Sequence, residues 1–421
     1  MITPIEASQP CLGARPDVMV VHNFYQQPGG EDAVFNDEVR LLQAHGHRVS
    51  QFTAHNDSVK GRSRVALAIN TIWNGQAYRA LAARVRAERP KIVHFHNTFP
   101  LISPAAYHAV RAQRAAVVQT LHNFRLLCPA ATFLRDGKVC EDCLGAIFPT
   151  NGVRHGCYRG NKTATAASGL MVTIHSALRT WRTTVDAYIA LTEFSREKFI
   201  QGGLPGGKIH VKPNFVGHDP GVGSGRGGYA IFVGRLSPEK GIDVLLSAWT
   251  QLGGAIPLKI LGDGPMADMV KKAAAESPHI EWLGHQSPQR VMELVGEAAF
   301  LVFPSIWYET FGKVAVEAYS RGTPVIASRL GAMKELVEHG HSGYLFEAGN
   351  GADLANKVRQ FLAEPRQIPD MRRRARAEFN ERYTAAANYL QLNEIYRHAL
   401  ARRWTATPET PLRPRALPIL D

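Results

Sequence analysis

No run of about 18 apolar residues occurs anywhere in the chain, and its first residues, MITPIEASQPCLG, lack a basic segment followed by an apolar one. Neither a membrane span nor a secretory leader is expected. A cytoplasmic location follows, and the glycosylation sequons at Asn56 and Asn161 carry no weight. Acidic residues are in short supply: 36 against 49 basic ones leave a net charge of +13. That excess predicts anionic partners, either phosphorylated ligands or an anionic membrane surface. Basic residues interleaved with aromatics, as needed to stack bases, are missing, so no nucleic acid is expected.

Cysteine is scarce and unevenly placed. Cys11 stands alone, while Cys128, Cys140, Cys143 and Cys157 fall close together. In a reducing compartment a disulfide framework is disfavoured, and Cys-x-x-Cys with two further thiols suits a tetrahedral structural zinc site. His155 could replace one sulfur. Free or redox-active thiols and a disulfide remain alternatives.

What is present is apolar material for two cores: 421 residues with 45% hydrophobic content exceed one ordinary domain. Strand-like runs recur at Val18 to Val21, Arg48 to Thr53, Ile92 to Phe95, Ala116 to Leu121, Asp186 to Leu191 and Lys208 to Phe215. A second series runs through Ala230 to Val233, Leu258 to Gly262, His279 to Leu283, Ala299 to Phe303, Pro324 to Ala327 and Tyr344 to Phe346. Helical patterns between them predict an α/β chain with a parallel, doubly wound sheet in each half. The glycine-rich GHDPGVGSGRGG reads as a flexible linker at 216–228, between domains at 18–215 and 229–380. An N-terminal extension covers 1–17, residues 128–157 read as an insertion, a basic helix covers 381–403, and a Pro-rich tail covers 404–421.

The segment from Val59 to Arg89 carries apolar positions among arginines, which suits one or two amphipathic helices. Such a face packs on a core or lies on a membrane. His94 and His96 share a strand face. Nothing nearby in sequence offers a third metal ligand, so hydrogen-bonded histidines are the expected reading. Gly202 to Lys208 spells the spacing of a phosphate-binding loop, but Ile209 stands where magnesium needs a hydroxyl, and a helix precedes it; the motif is false.

The most informative stretch is SIWYETFGKVAVEAYSRG, Ser305 to Gly322. A helix is expected from Gly312, where free N–H groups and the helix dipole favour an anion near Phe311 and Gly312. Glu309 and Glu317 lie roughly two turns apart and share a ligand only if Glu309 belongs to the preceding loop. Glu317 would then hold a ribose diol and Glu309 sugar hydroxyls; two solvated acids on an amphipathic helix are the plain alternative. Upstream, GRLSPEKG places Gly234 at a turn, with Arg235 and Lys240 beside the next helix start, suited to a diphosphate. Gly29 and Gly30 follow the first strand, where a tight turn or a ligand explains them.

These two motifs, Gly234, Arg235, Glu239, Lys240 and Gly241 followed by Glu309, Phe311, Gly312 and Glu317, resemble the retaining glycosyltransferases of family 4. The resemblance implies a GT-B fold of two Rossmann-like domains facing across a cleft, and a nucleotide-sugar donor, UDP- or GDP-linked. It implies transfer of a hexosyl unit to a glycan or lipid-linked acceptor in cell-envelope or exopolysaccharide assembly. By the same resemblance His122 lies beside the anomeric carbon, Gly30 faces the donor diphosphate, and Gly262 borders the donor site. His122, Glu309, Arg235 and Lys240 are the expected catalytic group. No Asp-x-Asp occurs, which fits a diphosphate site without a catalytic metal. A nucleotide-sugar epimerase on the same fold and a silent membrane-binding scaffold are the rivals.

Overall fold

The computed structural model describes residues 17–27, 29–59, 61 and 63–405. Cys11, the N-terminal extension up to residue 16 and the tail beyond 405 lie outside the described residues. The first half builds β1 (Val18–Phe24), β2 (Val49–His55), β3 (Ile92–Phe95), β4 (Ala116–Thr120), the short β5 (Leu134–Arg135) and β6 (Lys138–Val139), β7 (Ala187–Ala190) and β8 (Ile209–Val211). The second half builds β9 (Ala230–Val233), β10 (Leu258–Leu261), β11 (Ile280–Gly284), β12 (Phe300–Phe303), β13 (Val325–Ser328) and β14 (Gly343–Phe346).

Two six-stranded parallel sheets result, ordered β2-β1-β3-β4-β7-β8 and β11-β10-β9-β12-β13-β14; β5 and β6 pair separately as an antiparallel hairpin. Both large sheets are covered on two faces, which is why their strands read as continuous apolar runs. Side-chain alternation divides each strand between two cores. Met19 and Val21 enter one cluster and Val18 and Val20 another, and Ile231 parts in the same way from Ala230 and Phe232.

Three expectations change. β1 continues to Phe24, because His22, Asn23 and Phe24 pair with Thr53, Ala54 and His55 of β2. β8 stops at Val211: Lys212 turns into the interior and Pro213 has no N–H to donate to a ladder. The linker packs against the second half. Gly223, Gly225 and Gly227 donate to the carbonyls of Arg321, Gly296 and Glu297, and a Cβ at any of them would fall 2.1–2.4 Å from an existing atom. Its glycines permit close approach, whereas composition alone reads them as freedom.

The chain crosses between halves a second time beside the first, where Val216 bridges Thr384. Helix Ala385–Thr405 then returns to the first sheet, and its Leu392, Ile395, Tyr396 and Ala399 join Val18, Val20 and Phe35 in one core.

Candidate active site

In each sheet the strand order reverses beside the first strand of that half, and loops at such a reversal diverge and leave a crevice. Loops after β1 and β4 face those after β9, β10 and β12 across a single cleft of about 1440 Å³.

The C-terminal wall rests on backbone packed against backbone. Gly262, at φ +131°, leaves no room for a Cβ, which would lie 1.9 Å from the Gly234 carbonyl oxygen; Leu236 N–H donates to Asp263 O at 2.9 Å. The two turns interlock and hold Arg235 at the cleft edge, exposed and with no ion pair or side-chain hydrogen bond among the described residues. Lys240 Nζ donates to Glu309 Oε1 at 2.6 Å, and the same oxygen accepts from Trp307 Nε1 at 2.6 Å and Ser305 Oγ at 2.9 Å. Glu309 therefore belongs to the loop and aims Lys240. The helix Lys313–Ser320 has Gly312 at its N-cap and no side-chain cap, and Gly312, Lys313 and Val314 line the cleft. An anion can meet uncapped N–H groups there. The Phe311 ring is buried in the core, so only its backbone is available to a ligand.

The N-terminal wall is built from buried polar groups. Neither Gly29 nor Gly30 has a positive φ, and a Cβ on either would meet nothing within 4 Å. Neither glycine is required by a left-handed backbone, and both line the cleft. Next to them Glu31 accepts from Tyr25 Oη at 2.9 Å and Asn123 Nδ2 at 2.8 Å; burial raises its carboxyl above the usual range. His122 lines the cleft, and its Nε2 lies 2.9 Å from His96 Nδ1. Burial, then the neighbouring histidines, holds His122 well below the ordinary histidine range, and burial lowers His96 to about 4. Both rings are neutral near pH 7.

Behind them Glu38 Oε1 lies 2.8 Å from His94 Nδ1 and 3.3 Å from His96 Nε2, a three-residue set close enough to hold a metal. The third ligand missing from the local sequence is thus brought from the first helix. A cation already serves this set, because Lys212 Nζ, 1% exposed, reaches Glu38 Oε2 at 3.1 Å and Asn388 at 3.0 Å. His94 is also held by Tyr396 Oη at 2.9 Å and Thr120 Oγ1 at 2.8 Å. Burial would raise the Glu38 carboxyl, but Lys212 and the two histidines outweigh it and keep it well below the usual range. The cluster is a buried network organised around Lys212, in which Glu38 Oε1 and His96 Nε2 lack a hydrogen bond of good geometry.

The structure thus gathers His122, Gly30, Gly234, Arg235, Lys240, Gly262, Glu309, Phe311 and Gly312 at one cleft. Glu317 is not among the lining residues. It sits one turn along its helix with Lys313 Nζ 4.0 Å away, and burial raises its carboxyl. Cys128, Cys140, Cys143 and Cys157 gather elsewhere, around a small cavity of their own. Among the lining residues without a role assigned from sequence are Lys313, Asn214 and Glu31. Lys313 bridges the halves by pairing with Asp37 Oδ2 at 3.0 Å. Asn214 is buried with its Oδ1 unpartnered. Glu31 directly follows the glycine pair, which was the available signal. The halves also meet where Thr310 Oγ1 donates to His122 O at 2.7 Å.

Comparison with known proteins bears on the family and the fold. Residues 224–379 match the model for glycosyl transferases group 1, and residues 29–214 match the glycosyl transferase 4-like domain. The chain belongs to the group 1 glycosyl transferases. An uncharacterised glycosyltransferase of Methanocaldococcus jannaschii is 35% identical over 136 residues, 32% of this chain and 38% of that protein. The phosphatidyl-myo-inositol mannosyltransferase of Mycobacterium leprae is 29% identical over 210 residues, 47% of this chain and 55% of that one. The chain thus spans about half or less of the length of the curated relatives it matches. Among solved structures, an Anabaena protein in complex with UDP-glucose superimposes with a TM-score of 0.64 over 90% of this group 1 chain and 98% of its own, at 19% identity. That likeness shows the shared GT-B fold.

Proposed function

We propose that the chain is a retaining glycosyltransferase that moves a hexosyl unit from a UDP- or GDP-linked sugar to a glycan or lipid-linked acceptor. The observation that carries this reading is the convergence on one cleft of Arg235, unpaired among the described residues, an aimed Lys240 and an uncapped helix start, opposite neutral His122 and the open backbone of Gly30. The first group suits a diphosphate whose charge grows as the bond to the sugar breaks. The second suits an uncharged sugar. Glu309 is engaged by Lys240, Trp307 and Ser305, which fits a positioning role and leaves no carboxylate assigned as a covalent nucleophile. The complex of the Anabaena protein with UDP-glucose supports a nucleotide-sugar donor.

A lipid-linked acceptor at an anionic membrane gains support from a surface on the N-terminal half. Helices Arg64–Ile72 and Lys162–Ala177 pack together, and Val65, Ile69 and Trp73 beside the first match exposed Leu170, Ile174 and Leu178 along the second. Arg64, Arg179 and Arg182 are exposed near the same stripes, and residues 58–87 and 150–185 contain no acid. Apolar side chains rimmed by arginine suit lipid acyl chains beneath anionic headgroups. No helix among the described residues is long and apolar enough to cross a membrane.

Thermal unfolding with UDP, GDP, ADP and their sugars tests the donor site. At a ligand concentration about 100 times its dissociation constant, stability rises by roughly 2.7 kcal/mol. One nucleotide stabilises the chain, and Arg235→Ala removes that gain. No gain with any of them overturns the transferase reading, and conversion of the donor without an acceptor replaces it with an epimerase. Flotation with anionic vesicles at low salt tests the membrane surface; failure to float removes that part alone.

A further inference from the structure

Between β4 and β7 the chain inserts a segment that has almost no core of its own. From residue 134 to residue 161 only Pro149, Gly152 and Gly156 are buried, and its strands β5 and β6 are two residues each. A segment with so little apolar burial needs a covalent or metal staple to hold one shape. Four cysteines supply the means. Cys128 closes a turn by donating its N–H to Phe124 O, Cys140 and Cys143 form a knuckle after the β5–β6 hairpin, and Cys157 follows the helix Thr150–His155. All four are free thiols, and all four line one cavity of about 10 Å³ with Pro129, Leu134, Arg135 and Gly152.

We propose that these four thiolates bind one zinc ion that staples the insertion. The cavity admits a single ion and nothing organic. Its lining contains neither carboxylate nor imidazole, so the expectation that His155 replaces a sulfur is dropped. A pure sulfur set selects zinc over calcium or magnesium. Arg135 faces the same cavity and offsets the charge of a four-thiolate site, while its guanidinium is held by Asp142 at 2.7 Å. Gly152 permits the closeness: a Cβ there would stand 3.3 Å from Cys143 Sγ and 3.2 Å from Pro129 Cγ. Among the described residues no three of the sulfurs lie within 4.8 Å of one another. Tetrahedral Zn–S bonds of about 2.3 Å require sulfurs roughly 3.8 Å apart, so binding draws the segment inward. The metal acts at a distance from chemistry: Ala131, near the start of the insertion, and Arg159, just after Cys157, line the main cleft. Glu141, inside the knuckle, pairs with Lys198 at 2.7 Å.

The test is metal analysis of the full chain, purified with a phosphine reductant and no chelator. One zinc per chain is expected, with the four thiols unreactive toward a thiol reagent until a mercurial displaces the metal. Cys143→Ser and Cys157→Ser lose the zinc, and Cys11→Ser keeps it. Because the serine variants can fail to fold, the wild-type chain stripped of metal is also titrated with Co²⁺, where a tetrathiolate visible spectrum is expected. Metal-free protein whose four thiols react freely and which shows no Co²⁺ spectrum overturns the proposal. So does a mass that shows two disulfides in chain purified without reductant.

Discussion

On the C-terminal wall of the cleft the charged side chains stand at the water's edge, Arg235 unpaired and Lys240 aimed by Glu309. Behind the N-terminal wall a charged pair is sealed within the domain, where Glu38 and Lys212 are each 1% exposed and His96 and His122, between the pair and the cleft, are neutral. An exposed cation keeps its attraction for an arriving anion. A buried pair spends its charge on its neighbours and fixes their geometry. The exposed cations are thereby suited to bind charge, and the sealed network to orient an uncharged group.

The contrast is broken most directly at Lys212. Lys212→Met leaves Glu38 buried without its cation and is expected to cost about 3–5 kcal/mol in urea unfolding, whereas Lys240→Met, at a partly exposed pair, costs about 1 kcal/mol or less. Equal midpoints for the two variants would erase the distinction. Activity should divide the other way: Arg235→Ala lowers kcat/KM by about a hundred- to a thousand-fold in a steady-state transfer assay and leaves the unfolding midpoint in place.

Acid sharpens the same comparison. The folded His96 titrates at about 4 against an ordinary value near 6.5, so the unfolded chain takes up the proton first. Stability from burying the neutral ring is complete above pH 6.5 and is lost as pH falls toward 4, by ~3 kcal/mol for His96 alone. The lowered Glu38 carboxyl has the same sign, with its contribution lost below the ordinary glutamate range; the raised Glu31 acts in the opposite sense. Unfolding followed from pH 7 to 4 should show the decline, and His96→Gln should flatten it. The smallest effect is expected between the walls, at Lys313–Asp37, each about one-fifth exposed. Lys313→Met should change stability by about 1 kcal/mol or less and show chiefly as a wider separation of the halves in small-angle scattering.

Much of this was readable from local pattern. Parallel strands bury both faces, so their apolar runs mark them, and most boundaries fall within two residues of expectation. The cleft was legible because Arg235, Lys240, Glu309 and Gly312 lie in two short motifs. Glu38, Lys212 and Tyr396 were not, because the fold alone joins residues so far apart in the chain. Glycine composition did not reveal that the linker packs closely, since the same residue type serves freedom and close approach, and only its surroundings tell which. No sequence feature shows that Glu309 Oε1 is engaged by Lys240 and Trp307, because those contacts depend on how the loop folds.

The returning helix Ala385–Thr405 has a consequence for how the chain is made. The C-terminal half is one unbroken stretch and can fold as soon as it leaves the ribosome. The N-terminal sheet emerges first yet waits with Val18, Val20 and Phe35 uncovered until Leu392, Ile395 and Tyr396 arrive. Residues 18–215 expressed alone would show that apolar face to solvent and aggregate, so the half translated first is the half that folds last.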